Sequence, residues 1–263
     1  MSNPKGYVDS NYLRNMAAHL MADIKRRTYE MMHIQPGDYV LDVGCGPATD
    51  TIPLAELVGS QGQVVGVDYD ADMITEAEKR TRAAGLDDRV RYERADVLAG
   101  LPFEIGLFDS VRSERLFQHL LEPAKALAEM ARVTKSGSWI VVMDTDHSMK
   151  SFDTPETDVQ WKLLRVAAER VHNNGYSGRQ LYRLFKRQGL AEIVIEPLSI
   201  CITNYALARE ANVLDRVEQD ALQAGIVTQG ELDRWRASLE ATDARGEFFF
   251  MGGGVLIAGK KPE

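Results

Sequence analysis

Only two cysteines occur among 263 residues, Cys45 and Cys201, and their separation matches no metal-ligand spacing, so a cysteine-built metal centre is not expected. No basic tail or block of like charge is present. Net charge is −8 with acids and bases interspersed, which argues against nucleic acid or a membrane surface as partner. Apolar residues nowhere approach the ~20 in a row that would span a bilayer, and neither repeats nor low-complexity tracts occur. The start, Met1-Ser2-Asn3-Pro4-Lys5, lacks the apolar run of a secretory signal, so the expectation is a cytoplasmic protein without stable membrane insertion. What remains is ordinary globular composition. A hydrophobic share of 44 % is enough for a sizeable core, in one large domain or a domain carrying insertions.

The most informative stretch is Tyr39-Val40-Leu41-Asp42-Val43-Gly44-Cys45-Gly46-Pro47-Ala48-Thr49-Asp50. A short, β-branched apolar run ends at two glycines spaced G-x-G, as a buried parallel strand ends in a tight turn, and a helical pattern resumes near Thr51. Glycine lets backbone approach a ligand closely and adopts positive φ without cost. A third glycine is missing: where the dinucleotide fingerprint G-x-G-x-x-G needs it, the chain has Thr49. The strand also carries a carboxylate, Asp42, which would repel phosphate and favour a positively charged ligand such as the sulfonium of S-adenosylmethionine.

Further strand–helix units follow. Gln63 to Asp68 reads as a second strand ending in an acid, placed where a ribose-binding carboxylate sits in a βαβ unit. Asp68 is therefore expected to accept both ribose hydroxyls, with capping of the next helix as the alternative. Ala71 to Ala84 is helical. Val90 to Glu93 is a third strand, after which Asp96 lies at the ligand edge, as a hydrogen-bond acceptor or a turn former. Leu107 to Ser113 is a fourth strand, Pro123 to Val133 a helix, Lys135-Ser136-Gly137-Ser138 a turn and Trp139 to Met143 a fifth strand. Such alternation predicts an α/β fold with a parallel, doubly wound sheet whose strand ends share one rim. Helical patterns at Lys150 to His172 and Tyr205 to about Leu239 interrupt it. Ser177 is expected to cap a helix over Gly178 to Lys186, Ile193 to Ile202 to form a sixth strand, and Phe248 to Gly259 to close the sheet. Ahead of all this, Leu13, Ala17, Leu20, Ile24 and Met31 mark an N-terminal helix, near which Tyr7, Tyr12 and Arg14 could close over a site.

With those residues in place, the chain resembles class I S-adenosylmethionine-dependent methyltransferases, in the small-molecule branch that includes the ubiquinone and menaquinone C-methyltransferases. The resemblance rests on Val40 to Pro47, Val65-Gly66-Val67-Asp68, Asp72-Met73, Ala95-Asp96-Val97, Phe108-Asp109-Ser110-Val111, Gln118-His119-Leu120 and Met130-Ala131-Arg132-Val133-Thr134. Ala48-Thr49 and Lys135 to Ser138 depart from the family pattern. It implies a Rossmann-like doubly wound, mainly parallel seven-stranded sheet with an antiparallel last strand, plus helical insertions forming a lid. It implies S-adenosylmethionine as cofactor, held through Asp42, Gly44, Gly46, Asp68, Tyr69, Met73, Asp96, Val97 and Ser113: Gly44 and Gly46 at the methionine moiety, Asp68 at the ribose, Met73 and Val97 at the adenine, Asp96 at its amino group and Ser113 near the methyl donor. One methyltransferase domain, 1–263, is expected. Its parts are an N-terminal helical cap (1–35), a cofactor-binding core (36–148), lid insertions (149–175 and 205–245) and the rest of the sheet (176–204 and 246–263).

Methyl transfer needs alignment and exclusion of water rather than a metal. If a base assists, His119 and His147 are the rim histidines; each could equally be structural. Tyr12, Glu114, Arg115 and Asp146 are candidates for a small-molecule acceptor. Two other functions stay open: a cofactor-binding protein without catalysis, and a nicotinamide-dependent oxidoreductase, against which the missing glycine and Asp42 both count.

Overall fold

The computed structural model describes residues 21–263. Leu13, Ala17 and Leu20 of the expected N-terminal helix, and Tyr7, Tyr12 and Arg14, lie outside the described residues. The helix is seen over Ala22–Met31 (α1).

Eight strands form one sheet: β1 (Tyr39–Val43), β2 (Gln63–Asp68), β3 (Val90–Arg94), β4 (Phe108–Glu114), β5 (Thr134–Thr145), β6 (Ser151–Phe152), β7 (Ala191–Ile202) and β8 (Phe250–Lys260). The order is β3-β2-β1-β4-β5-β8, with β7 along the far edge of β8 and β6 pairing the start of β8. Pairs from β3 to β5 are parallel, and β8 runs antiparallel to its neighbours. The antiparallel last strand is as expected. The strand count is eight rather than seven, because two residues of a segment read as wholly helical pair as β6.

Helices lie on both faces: α2 (Thr51–Val58), α3 (Ala71–Ala83), α4 (Pro123–Val133) and α6 (Ser177–Arg187) alternate with strands, and α5 (Thr157–Val166), α7 (Tyr205–Ala211), α8 (Leu214–Gln223) and α9 (Gln229–Ala244) form the insertions. Strand alternation sorts the core. Leu41 and Val43 of β1 pack with Leu127 and Met130 of α4 and Leu181 and Phe185 of α6, whereas Val40 packs with Met31, Leu54 and Val58 from α1 and α2. Asp42 therefore falls on the α1 side. The insertions have a core of their own, in which Phe152 meets Trp235 edge-on at 5.2 Å and Phe250 at 4.7 Å.

Three local expectations are corrected. Lys135 to Ser138 is not a free turn: β5 runs through it as a bulge between the pairs Phe108–Thr134 and Ser110–Trp139, and Gly137 N–H donates to the Lys261 carbonyl. Ser177 does not cap α6. Its hydroxyl donates to Asp144 Oδ1 at 2.7 Å, since a buried carboxylate competes successfully for it. The pattern from Tyr205 to Leu239 is three helices, broken at Asn212-Val213 and again before the Thr228–Glu231 capping box of α9. No described helix is long and apolar enough to cross a membrane.

Candidate functional site

The carboxyl ends of the parallel strands surround a cavity of about 580 Å³. Such a rim is where open α/β sheets bind ligands. At its floor the Gly44 and Cys45 N–H groups donate to the Val67 carbonyl, at 2.7 and 3.0 Å, which pins the glycine loop to β2. Gly44 has φ +78°, and a Cβ there would come within 3.2 Å of Leu116, so the close turn requires glycine.

Asp68 lines the cavity. One carboxylate oxygen accepts Gly46 N–H and the other accepts Asp70 N–H, each at 2.9 Å, leaving both oxygens further lone pairs. Burial nonetheless pushes its pKa up. The cap of α3 is Asp70, not Asp68. Exposed Tyr69, together with Met73, Asp96 and Val97, completes this end, and Asp96 Oδ1 accepts Leu98 N–H at 2.8 Å.

Two expected cofactor residues are not in the wall. Asp42 lies beneath it, paired in the β1–β4 ladder with Arg112, whose guanidinium is 3.3 Å away. Beneath the floor, Arg112 also meets Asp50 and Glu114 at 2.9 Å, Lys25 meets them at 2.5 and 2.9 Å, and Tyr29 Oη donates to Asp50. Burial raises the pKa of Asp42 against the pull of Arg112. Burial opposes ionisation of Asp50 too, but Arg112 and Lys25 together overcome it and hold its pKa down. The cluster sets two cations, Lys25 and Arg112, against three buried carboxylates, and the upward shift of Asp42 moves it toward neutrality. Asp42 thus offers the cavity no direct charge, contrary to the expectation; Asp50 and Glu114 do line it. Ser113, in register with Val43, points to the opposite face, where its hydroxyl is buried without a hydrogen-bond partner among the described residues.

Beyond β4 the wall changes character. Arg115 follows Glu114 with φ +53° and lines the cavity with His119, His147, Lys150, His172 and Arg216. Hydrogen bonds from Asn174 N–H to the Gln118 carbonyl and from His147 N–H to the Gly175 carbonyl draw three chain segments together. The His147 and His172 rings stack at 3.8 Å, and His119 lies 5.7 Å from His172. Burial lowers all three, His119 to about 4 and His172 to about 3, so each is neutral at pH 7. Both nitrogens of His147 are occupied, Nε2 by Gln118 Oε1 at 2.8 Å and Nδ1 by Lys150 Nζ at 2.9 Å, which removes it as a base. His119 keeps Nδ1 without a partner among the described residues.

Asp146 is corrected as an acceptor residue: it is fully buried away from the cavity, held by Arg179 and Ser148. Glu114 and Arg115 are in the wall, and Tyr12 is outside the described residues. Lys150, His172, Asn212 and Arg216 were not anticipated. Each is a lone residue in a helical pattern, and topology rather than spacing assembles them. Val213, beside Asn212, adopts φ +46°, a costly conformation for a β-branched residue, at the junction of α7 and α8 in this wall. Across from it, β8 contributes Phe250 and the bare backbone of Gly252, Gly253 and Gly254. Among the described residues, no three His, Cys, Asp or Glu side chains are grouped to hold a metal ion.

Comparison with known proteins agrees with this geometry. Residues 34–189 match the model of the methyltransferase domain family. A transposon-encoded protein of Streptomyces fradiae is 33 % identical over 84 % of this chain and 61 % of its own length. The demethylmenaquinone methyltransferase of Bacillus cytotoxicus is 33 % identical over 66 % of this chain and 79 % of its own. The crystal structure of a methyltransferase-like protein from Bacillus halodurans superposes with a TM-score of 0.66 at 18 % identity, covering 92 % of this chain and all of that one, which shows a shared fold. The chain spans from 50 % to 61 % of the length of several curated relatives that it matches. On its sequence match across more than half its length, the chain belongs to the methyltransferase domain family.

Proposed function

We propose that the protein transfers the methyl group of S-adenosylmethionine to a carbon or oxygen of a small-molecule acceptor by in-line displacement. The observation that carries this reading is one cavity that joins the Gly44–Thr49 loop, Asp68, Met73, Asp96 and Val97 to a separate basic wall. When bound, the cofactor supplies an electrophilic methyl carbon on a positively charged sulfur.

The chain's own residues bind, orient and dehydrate. Asp68 accepts the ribose hydroxyls on its remaining lone pairs, Met73 and Val97 sandwich the adenine, and Asp96 accepts its amino group with Tyr69 alongside. Gly44 and Gly46 let the loop backbone touch the methionine moiety. Asp50 and Glu114 present carboxylate edges to the cavity in place of Asp42, their charges balanced from beneath by Lys25 and Arg112. Helices α5 and α7–α9 serve as a lid within one domain, covering the acceptor so that alignment replaces solvation. His119, neutral and open at Nδ1, is the imidazole that can take a proton from an acceptor. The relative acting on demethylmenaquinone supports a small-molecule acceptor.

Calorimetry with S-adenosylhomocysteine tests the reading. One site per chain is expected, with no heat from NADH, and no binding of S-adenosylhomocysteine sinks it.

A further inference from the structure

The cavity wall is divided by the sign of its charges. Its acids, Asp50, Asp68, Asp70, Asp96 and Glu114, all come from the ends of β1 to β4 or the loops just after them. Its bases and imidazoles, Arg115, His119, His147, Lys150, His172 and Arg216, all follow β4 in the chain. The groups that perturb His119, His147 and His172 are Arg115, Lys150, Arg216 and one another, with no acid among them. Where the two halves meet, Arg115 Nε lies 3.4 Å from Glu114 Oε1; two carboxylates further along the chain are engaged elsewhere, Asp144 by Ser177 and the Gln118 N–H, Asp146 by Arg179.

At the centre of this wall Lys150 is 8 % exposed, its stem set among Phe152, Leu163, Leu164 and Trp235 of the insertion core. A relay orients its amine. The Arg115 carbonyl accepts Gln118 Nε2–H at 3.1 Å, which turns Gln118 Oε1 toward His147. His147 therefore carries its proton on Nε2 and offers a bare Nδ1 to Lys150. One N–H of Lys150 is used in this way, and among the described residues no carboxylate meets the others. A buried amine with an imidazole as its partner, and no carboxylate paired with it among the described residues, lacks the anion that would complete it.

We infer that the methyl acceptor carries an anionic oxygen, a carboxylate or an ionised hydroxyl, and that Lys150 receives it at the basic wall. The inference rests on the methyl-transfer reading for the word acceptor, while the anion site itself stands on the wall's charges. Lys150 is held to about pKa 7 by burial, so near pH 8 it is mainly neutral. A carboxylate then binds with uptake of a proton from solvent. A hydroxyl instead gives its own proton to Lys150 Nζ: the O–H bond breaks, an N–H bond forms, and net charge is unchanged. His147, from the same segment, contacts Lys150, and the other groups of this wall are His172, six residues beyond α5, and Asn212 and Arg216 about the α7–α8 junction; β8 contributes Gly252 and Phe250, which do not titrate.

The test is calorimetry on the full chain saturated with S-adenosylhomocysteine, at about pH 8 in phosphate and in Tris. The probes are benzoate, phenylacetate and octanoate against their primary amides, and phenol against benzene. The expected result is that at least one carboxylate or phenol binds at least roughly tenfold tighter than its neutral match. Carboxylates take up close to one proton, and phenol takes up about none. Lys150→Met should abolish the preference while keeping its affinity for S-adenosylhomocysteine, which also reports that it folds; Lys150→Arg should restore the preference without the proton uptake. Equal binding of acids and amides, or a preference that survives Lys150→Met, overturns the inference. Should S-adenosylhomocysteine itself not bind, the methyl-transfer reading falls, and the same panel on the unloaded chain still decides whether Lys150 is an anion site.

Discussion

On one side of β4 the cavity wall is acidic and on the other it is basic, and the change takes a single peptide bond, from Glu114 to Arg115. The two sides differ in more than sign. Each acid is held before any ligand arrives: Asp68 by two backbone N–H groups, Asp96 by one, Asp50 and Glu114 by Lys25 and Arg112. The basic side is under-satisfied, with Nδ1 of His119 and His172 lacking partners among the described residues and a lysine depressed by burial. A rigid, satisfied surface suits a ligand that never varies. An unsatisfied one waits for the group that completes it, which is why we assign the proposed acceptor, and not the cofactor, to the basic side.

The contrast can be attacked at its foundation first. Arg112→Met leaves Asp42, Asp50 and Glu114 buried around Lys25 alone, and should cost about 3–5 kcal/mol of stability by urea denaturation at pH 7. A small effect would mean that the acid side is not held up by that guanidinium. Next, Asp68→Ala removes charge-assisted hydrogen bonds of about 1.5–3 kcal/mol, so S-adenosylhomocysteine should bind roughly ten- to a hundredfold more weakly by calorimetry, with the anion preference at Lys150 untouched. Loss of both together would show the two sides to be one unit.

The smallest effect is one of pH. The pKa of Asp42 is raised on folding, so its contribution to stability is present below the ordinary carboxylate value of about 4 and is lost as pH rises toward neutrality. Asp42→Asn removes that loss. Its stability relative to wild type should improve by on the order of 1–2 kcal/mol between pH 5 and 8. A difference that is flat with pH would place a full charge on Asp42 and restore its expected role as an anion near the cofactor.

The two sides also differed in legibility. Strand ends that carry Asp68 and Asp96 announce themselves, because an apolar run, a turn and an acid are all local in the chain. Asp42 misled for a physical reason: a residue's position along a strand does not say which face it takes, and alternation placed Asp42 with Val40, under α1, and Ser113 with Val43. Most of the strands followed from local pattern as well, while β6 is too short to show a period and the bulge in β5 lies where Gly137 N–H meets the Lys261 carbonyl. Lys150, His172 and Arg216 sit far apart in the chain, on segments whose apolar spacing serves the insertion core. Nothing local marks them, and only the packing of α5, α8 and β6 brings them to one wall.

The three glycines of β8 set a limit on how this cavity can diversify. A Cβ on Gly254 would lie 2.4 Å from the Asp144 carbonyl, one on Gly253 2.9 Å from the Leu198 carbonyl, and one on Gly252 2.9 Å from the Phe250 ring. Two of the three obstacles are main chain of paired strands and cannot swing aside. Point substitution therefore has little room to narrow the acceptor space from this direction. Drift in specificity, natural or engineered, has to work through the side chains opposite, Asn212, Val213 and Arg216, while the glycine floor keeps its depth.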